Sequence, residues 1–193
     1  MLDTHARKYV QPFIETTASR LLKMGLTANQ VTMMSFLVGL SSGILFYLNY
    51  VVAAVIVLWM SGFLDAVDGT MARKTNVSPW GTVMDVTFDR IVEISVILGI
   101  AFKYPHVQWA LLLLSVSIIF SITVFLTVGA VSNKKGMKSF YYQPGLAERT
   151  EGFLLFSLMM LLPNYVLFIT LLFFVVELFT GLQRLNEARQ LLH

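Results

Sequence analysis

Residues 51–73 read VVAAVIVLWMSGFLDAVDGTMAR, and residues 81–90 read GTVMDVTFDR. The first stretch is apolar until its last turns. The second opens with charged residues and then runs apolar to Phe102. Apolar runs of about 20 residues cross a bilayer as helices. An ionised Asp inside such a run costs about 2.5 kcal/mol or more, so each one requires a reason. Asp65 and Asp68 are spaced i,i+3, and Asp85 and Asp89 are spaced i,i+4. Each pair therefore shares one helix face. The two helices are consecutive, antiparallel and joined by a short connection, so all four carboxylates fall at facing ends.

Working outward, the rest of the chain has the same character. Of its 193 residues 56% are hydrophobic and only 13% are charged, and the mean hydropathy is +0.73. A water-soluble domain carries about 25% charged residues, so a soluble globular protein is excluded, and so is a disordered one. About six stretches are long enough to cross: Val31–Tyr50, Val51–Met71, Thr82–Phe102, Val107–Ser132, a short Glu151–Leu162 that can begin near Leu146, and Tyr165–Gly181. The short turns carry Asn49-Tyr50, Tyr104-Pro105-His106 and Pro163-Asn164, all suited to chain reversal. The predicted fold is all-α: a polytopic membrane protein of six transmembrane helices preceded by an amphipathic interfacial helix. Its organisation is residues 1–30 as the juxtamembrane helix, 31–185 as the transmembrane domain, and 186–193 as a short cytoplasmic tail.

Charge placement predicts sidedness. Arg7, Lys8, Arg20, Lys23, Arg73, Lys74, Lys134, Lys135, Lys138, Arg149, Arg184 and Arg189 all fall on one side of that arrangement. Only Arg90, within the third span, and Lys103, at an edge, do not. The positive-inside rule puts the basic side and both termini in the cytoplasm. Residues 1–30 do not read as a signal peptide, because no long apolar run precedes a cleavage site. Val10, Phe13, Ile14, Thr17, Leu21 and Met24 recur at helical spacing, which suits a helix lying on the inner membrane surface.

Four carboxylates crowded together oppose one another's ionisation, and a divalent cation resolves the conflict. There is no Cys, and His5, His106 and His193 are scattered. Hard oxygen ligands then point to Mg²⁺, Mn²⁺ or Ca²⁺ rather than zinc. A pair of ions about 3.5–4 Å apart can clamp a transferring phosphoryl group. Arg73 is placed to meet a phosphate oxygen, and Gly69 and Ala72 leave room for a ligand beside the backbone. Interhelical ion pairing is the plainer reading, but Arg73 and Arg90 are too few to balance four Asp. A proton or ion pathway is disfavoured too, because only Glu93 and Glu177 lie deeper.

Taken together the pattern is Asp65-x2-Asp68-Gly69-x2-Ala72-Arg73-x7-Gly81-x3-Asp85-x3-Asp89. It resembles the signature of the CDP-alcohol phosphotransferase family of membrane enzymes, and the likeness extends over nearly the whole chain. The resemblance implies transfer of a phosphatidyl group from CDP-diacylglycerol to a small alcohol, with release of CMP. It implies that Asp65, Asp68 and Asp85 bind a pair of Mg²⁺ or Mn²⁺ ions. Asp89 would line the same site and act as general base on the acceptor hydroxyl. Asp68, Gly69, Ala72, Arg73 and Gly81 would hold the nucleotide and its diphosphate. In Thr27-Ala28-Asn29-Gln30-Val31-Thr32, Asn29 and Thr32 would stand near the nucleotide, with Ala28 where many members carry Pro. Thr27 and Asn29 suit a helix cap equally well. A homodimer is implied by resemblance alone, and no nucleic-acid partner is expected.

The acceptor is less legible. Glu148-Arg149-Thr150-Glu151, and the C-terminal Thr180–Leu185 segment, are similar to the phosphatidylinositol phosphate synthase branch. That branch usually carries a Lys-x-Arg pair ending the fourth span, where this chain has Thr127-Val128-Gly129-Ala130-Val131-Ser132. Arg149 is the expected acceptor contact, and Lys134 and Lys135 are candidate substitutes for the pair. Tyr141 and Tyr142 read as interfacial anchors. Inositol phosphate, glycerol 3-phosphate and an unphosphorylated alcohol all stay open. The alternatives are a CDP-headgroup phosphotransferase acting on diacylglycerol and, from another class, a divalent-cation transporter or non-catalytic scaffold.

Overall fold

The computed structural model describes residues 2–132, 145–146 and 148–192, with side chains from residue 10 onward. Lys134, Lys135, Lys138, Tyr141 and Tyr142 lie outside the described residues. The chain divides into two compact units, one holding residues 4–103 and the other essentially residues 104–192. Among the described residues there are seven α-helices.

The first unit contains α1 (Leu2–Lys23), α2 (Ala28–Tyr47), α3 (Val51–Lys74) and α4 (Pro79–Lys103). Two αL residues make its reversals. Gly25 has φ +82°; its N–H bonds to Leu22 O at 3.0 Å, and Leu26 N–H bonds to Leu21 O at 3.1 Å. Asn49 has φ 69°, and Asn49 and Tyr50 bond back to Phe46 O and Leu45 O. Both are Schellman closures, which satisfy the last carbonyls of a helix. Ser78 does the converse for α4: its Oγ accepts from Gly81 N–H at 2.9 Å, one residue ahead of Pro79, a favoured first helical residue.

Small residues let these helices approach. Ser35 and Ser42 on α2 donate to Ser61 O at 2.8 Å and Ala54 O at 2.9 Å on α3. A Cβ on Gly43 would collide with the Ser95 carbonyl of α4, and one on Gly99 would collide with Gly43 O. Phe36 of α2 and Phe88 of α4 stack at 4.2 Å, seven residues ahead of Gly43 and Ser95. Ile14 and Ala18 of α1 pack against Val31, Val67 and Met71, so α1 is built into the unit along one edge. Its other edge is open, with Phe13 at 75% and Met24 at 74% exposure.

The second unit contains α5 (Gln108–Val131), α6 (Arg149–Leu161) and α7 (Val166–Leu192). Val124, Val128 and Ala188 join α5 to α7, and Phe156 meets Phe173 edge-on at 5.1 Å. Gly181 passes the Phe120 ring so closely that a Cβ would sit 2.6 Å from it.

Four helical segments are long and apolar enough to cross a membrane: Ala28–Tyr47, Val51–Lys74, Pro105–Val131 and Pro163–Leu192. The protein is an integral multi-pass membrane protein. The other two expected spans fall short of that measure for visible reasons. α4 carries Asp85, Asp89, Arg90 and Glu93 in one half, and the described α6 has 13 residues. Several helices outrun the apolar stretches that announced them: α2 starts at Ala28, α3 ends at Lys74 and α7 continues to Leu192. Their polar end turns are helical without being lipid-like.

Candidate metal and nucleotide site

α3 brings Asp65 and Asp68 to its last turns, and α4 brings Asp85 to its second turn. One carboxylate oxygen from each lies within 4.8 Å of the others. Asp68 is 3% exposed, while Asp65 and Asp85 are half-buried. Ligands on opposite sides of one Mg²⁺ stand about 4.2 Å apart, and two bridged ions stand about 3.5–4 Å apart. Three hard oxygens this close fit one divalent cation or a pair. Asp89 follows one turn further along α4, half-buried, beyond the close trio.

The other residues singled out in this unit come from the start of α2, the end of α3 and the start of α4. A Cβ on Gly69 would meet only Arg73 Nη1, at 3.5 Å, so the backbone there faces open space. Ala72 adds only a methyl beside it. Arg73 is exposed at the end of α3, and its Nη2 donates to Thr70 Oγ1 at 2.8 Å. Gly81 is pressed by Asn29: a Cβ there would lie 3.0 Å from Asn29 Oδ1 and 2.9 Å from Ser78 Oγ. The start of α2 is thereby joined to the start of α4 across about 50 residues of sequence. Thr32 is buried, and its hydroxyl donates to Ala28 O at 3.0 Å.

The helix cap expected at Thr27 is present, and Gln30 completes it. Thr27 Oγ1 accepts from Gln30 N–H at 3.3 Å, and Gln30 Oε1 accepts from Thr27 N–H at 2.9 Å. This capping box fixes the helix start with Ala28 at its first position. The Thr-x-x-Gln spacing was its signal. Arg90 pairs with Glu93 at 2.7 Å, one turn past Asp89.

In the second unit Arg149 is the first residue of α6, with its guanidinium 5.2 Å above the Phe153 ring. A cation at a helix N-terminus opposes the dipole, so the helix itself does not favour it. Arg184, read from the sequence only as a cytoplasmic cation within the Thr180–Leu185 segment, is 9% exposed. Its Nη1 donates to Ser121 Oγ at 3.0 Å, and its guanidinium lies 5.1 Å over Phe125. A Cβ on Gly145 would lie 3.1 Å from Arg184 Nη2, so the chain just before α6 rests against this arginine. The Thr180–Leu185 segment that contains it was the available signal.

Residues 25–183 match the profile of the CDP-alcohol phosphatidyltransferase family. The chain belongs to that family. It is accordingly an enzyme of phospholipid synthesis that transfers a phosphatidyl group. The transferase is 30% identical to the inner membrane protein YnjF of Escherichia coli over 177 residues, which covers 86% of this chain and 84% of that one. It is 40% identical to the archaetidylinositol phosphate synthase of Pyrococcus horikoshii over 102 residues. That match covers 52% of this chain and about half, 54%, of that protein's length. Among solved structures the transferase resembles the phosphatidylinositol phosphate synthase of Mycobacterium tuberculosis with CDP-DAG bound. The TM-score there is 0.75 at 25% identity, covering 91% of this chain and 92% of that one. A second structure of that enzyme, in complex with manganese and citrate, gives a TM-score of 0.75 at 24% identity, covering 91% and 88%.

Proposed function

We propose that the transferase moves the phosphatidyl group of CDP-diacylglycerol onto a small alcohol at the inner membrane face and releases CMP. The observation that carries this reading is the convergence of Asp65, Asp68 and Asp85 beside the open backbone of Gly69. Those three carboxylates would hold Mg²⁺ or Mn²⁺, as a pair of ions with Asp89 at their edge. Bound divalent cations supply charge neutralisation to the diphosphate and the departing CMP.

The chain's own residues do the rest. Arg73 and the bare backbone at Gly69 and Ala72 seat the diphosphate, and Asn29, braced on Gly81, borders the nucleotide with Thr32 behind it. Asp89 takes the proton from the acceptor hydroxyl as its oxygen attacks the phosphorus bearing diacylglycerol. The bond from that phosphorus to the CMP oxygen breaks, and CMP leaves with the electron pair. The lipid tails stay in the bilayer while the polar acceptor arrives from the cytoplasm. Six crossings, counting α4 and α6, would put both termini on that side, with α1 along the surface. A homodimer is the expected working unit.

Two guanidiniums in the second unit, Arg149 and the buried Arg184, favour a phosphorylated acceptor, with Lys134 and Lys135 as further candidate contacts. The printed names of the inositol-phosphate relatives agree with that preference. The test is CMP release from CDP-diacylglycerol by purified protein with Mg²⁺ or Mn²⁺, run against inositol 1-phosphate, inositol, glycerol 3-phosphate, serine and glycerol. Release that requires metal and one phosphorylated acceptor is the expected result. Release with an unphosphorylated alcohol alone would remove the arginines from the acceptor site. Release only from CDP-choline or CDP-ethanolamine would overturn the donor.

A further inference from the structure

We infer that the groove between α1 and the end of α3 is a site for the head group of an anionic phospholipid of the bilayer, separate from the Asp cluster. The groove holds about 500 Å³ and is lined by residues that include Glu15, Ser19, Arg20, Lys23 and Lys74. Lys74 Nζ is fixed in its wall, donating to Ser19 Oγ at 2.8 Å and to Glu15 O at 3.4 Å. Arg20 and Lys23 are exposed and one turn apart. The single carboxylate among these groups, Glu15, keeps its charge while its Oε1 accepts from Gln11 Nε2 at 2.8 Å. Three cations against one carboxylate leave the groove net positive, which suits a phosphodiester.

The apolar residues beside the groove identify the source of that phosphate. Phe13, Arg20 and Met24 are spaced i, i+7 and i+11, close to whole helical turns, so they share a face. Phe13 and Met24 are each about three-quarters exposed, with the Arg20 stem between them. An exposed aromatic and an exposed methionine flanking a cation match the edge of an interfacial helix, with its tip in the head-group layer. Lys74 closes α3, one of the helices suited to crossing the membrane, so the groove opens level with the surface where lipid phosphates lie. A solvated basic face would not set two large apolar side chains in water. The inference rests on the proposed placement of α1 along the membrane surface, but not on the donor or the acceptor.

The experiment is native mass spectrometry of the full chain in detergent, titrated with phosphatidylglycerol or with phosphatidylcholine of the same acyl chains. Each basic residue near an anionic lipid is worth about five-fold, or about 1 kcal/mol. The wild type is expected to retain one phosphatidylglycerol at least ~10-fold more tightly than phosphatidylcholine. Arg20→Gln with Lys23→Gln should weaken that binding by about 25-fold and leave phosphatidylcholine unmoved. Glu15→Gln should tighten it by about five-fold, a gain that loss of folding cannot imitate. Lipid bound at the Asp cluster would respond to neither change. Equal binding of the two lipids, or variants that bind as the wild type does, would overturn the site. Displacement of phosphatidylglycerol by millimolar inorganic phosphate would assign the groove to a soluble anion and overturn the lipid. CMP release is not read, so failure here is distinct from failure of the catalytic reading.

Discussion

Asp85 and Asp89 stand one turn apart on the same helix, yet only Asp85 joins Asp65 and Asp68 in the close trio. On the proposed mechanism, that separation would let Asp85 hold charge while Asp89 moves a proton. Asp89→Asn keeps the shape and removes the base, so turnover should fall by about 10²–10⁴-fold. CDP-diacylglycerol binding should stay within about two-fold of wild type in the same titration, a result a ligand role for Asp89 would not give. Asp65→Asn should do the opposite and abolish Mn²⁺-dependent binding of the CDP-lipid. An unchanged Mn²⁺ titration would take Asp65 out of the ligand set. These residues were legible because i,i+3 and i,i+4 spacing by itself assigns a pair of side chains to one helix face. Arg184 was not, because its partners Ser121 and Gly145 are distant in sequence. Spacing along one helix says nothing about which other helix a side chain meets.

The helices were announced by apolar length, but what joins them is backbone contact between glycines that length does not reveal. Gly43 on α2 and Gly99 on α4 leave no space for a Cβ, and the obstructing atoms are backbone, which cannot swing aside. Gly43→Ala should therefore lower stability by about 1–3 kcal/mol in a thermal melt in detergent. Gly152 on α6 is the counterexample. A Cβ there would meet only Phe173 Cζ, at an ordinary 3.5 Å. Gly152→Ala should raise stability by about 0.5–1 kcal/mol, because Gly in a helix interior is costly. A Gly43→Ala protein that melts with or above the wild type would mean that the Gly43 approach is not tight. Helix ends were read less well than helix bodies for a related reason. Thr27 and Asn49 could be named as end residues, but the Gln30 half of the cap and the backbone closures at Gly25 and Asn49 depend on hydrogen bonds just outside the apolar runs. A reading that follows apolar runs stops before it reaches them.

At the scale of the whole molecule the open question is whether α4 and α6 cross, because four other helical segments suffice by length and composition. A helix of 25 residues is about 37 Å long, against about 30 Å of hydrocarbon. The surplus lets α4 keep Asp85 close to the surface while its apolar half reaches the far side. Arg90 and Glu93 neutralise one another within the helix at 2.7 Å, which lowers the cost of immersing the turn beyond. The sequence has no Cys, so single cysteines can report sidedness without background. Six crossings put Tyr50, His106 and Asn164 outside and Asn76 inside. Four crossings leave Tyr50 and Asn164 outside but move His106 to the inner face beside Asn76. His106→Cys is therefore the position that separates the two topologies, and His106 is exposed in its turn. A membrane-impermeant maleimide should label it on intact cells as readily as it labels Tyr50→Cys, and should reach Asn76→Cys only after permeabilisation. If His106→Cys labels only with Asn76→Cys, then α4 turns back without crossing. Lys103 and the apolar half of α4 would then lie on the same side as the Asp cluster, and the six-crossing arrangement would be wrong.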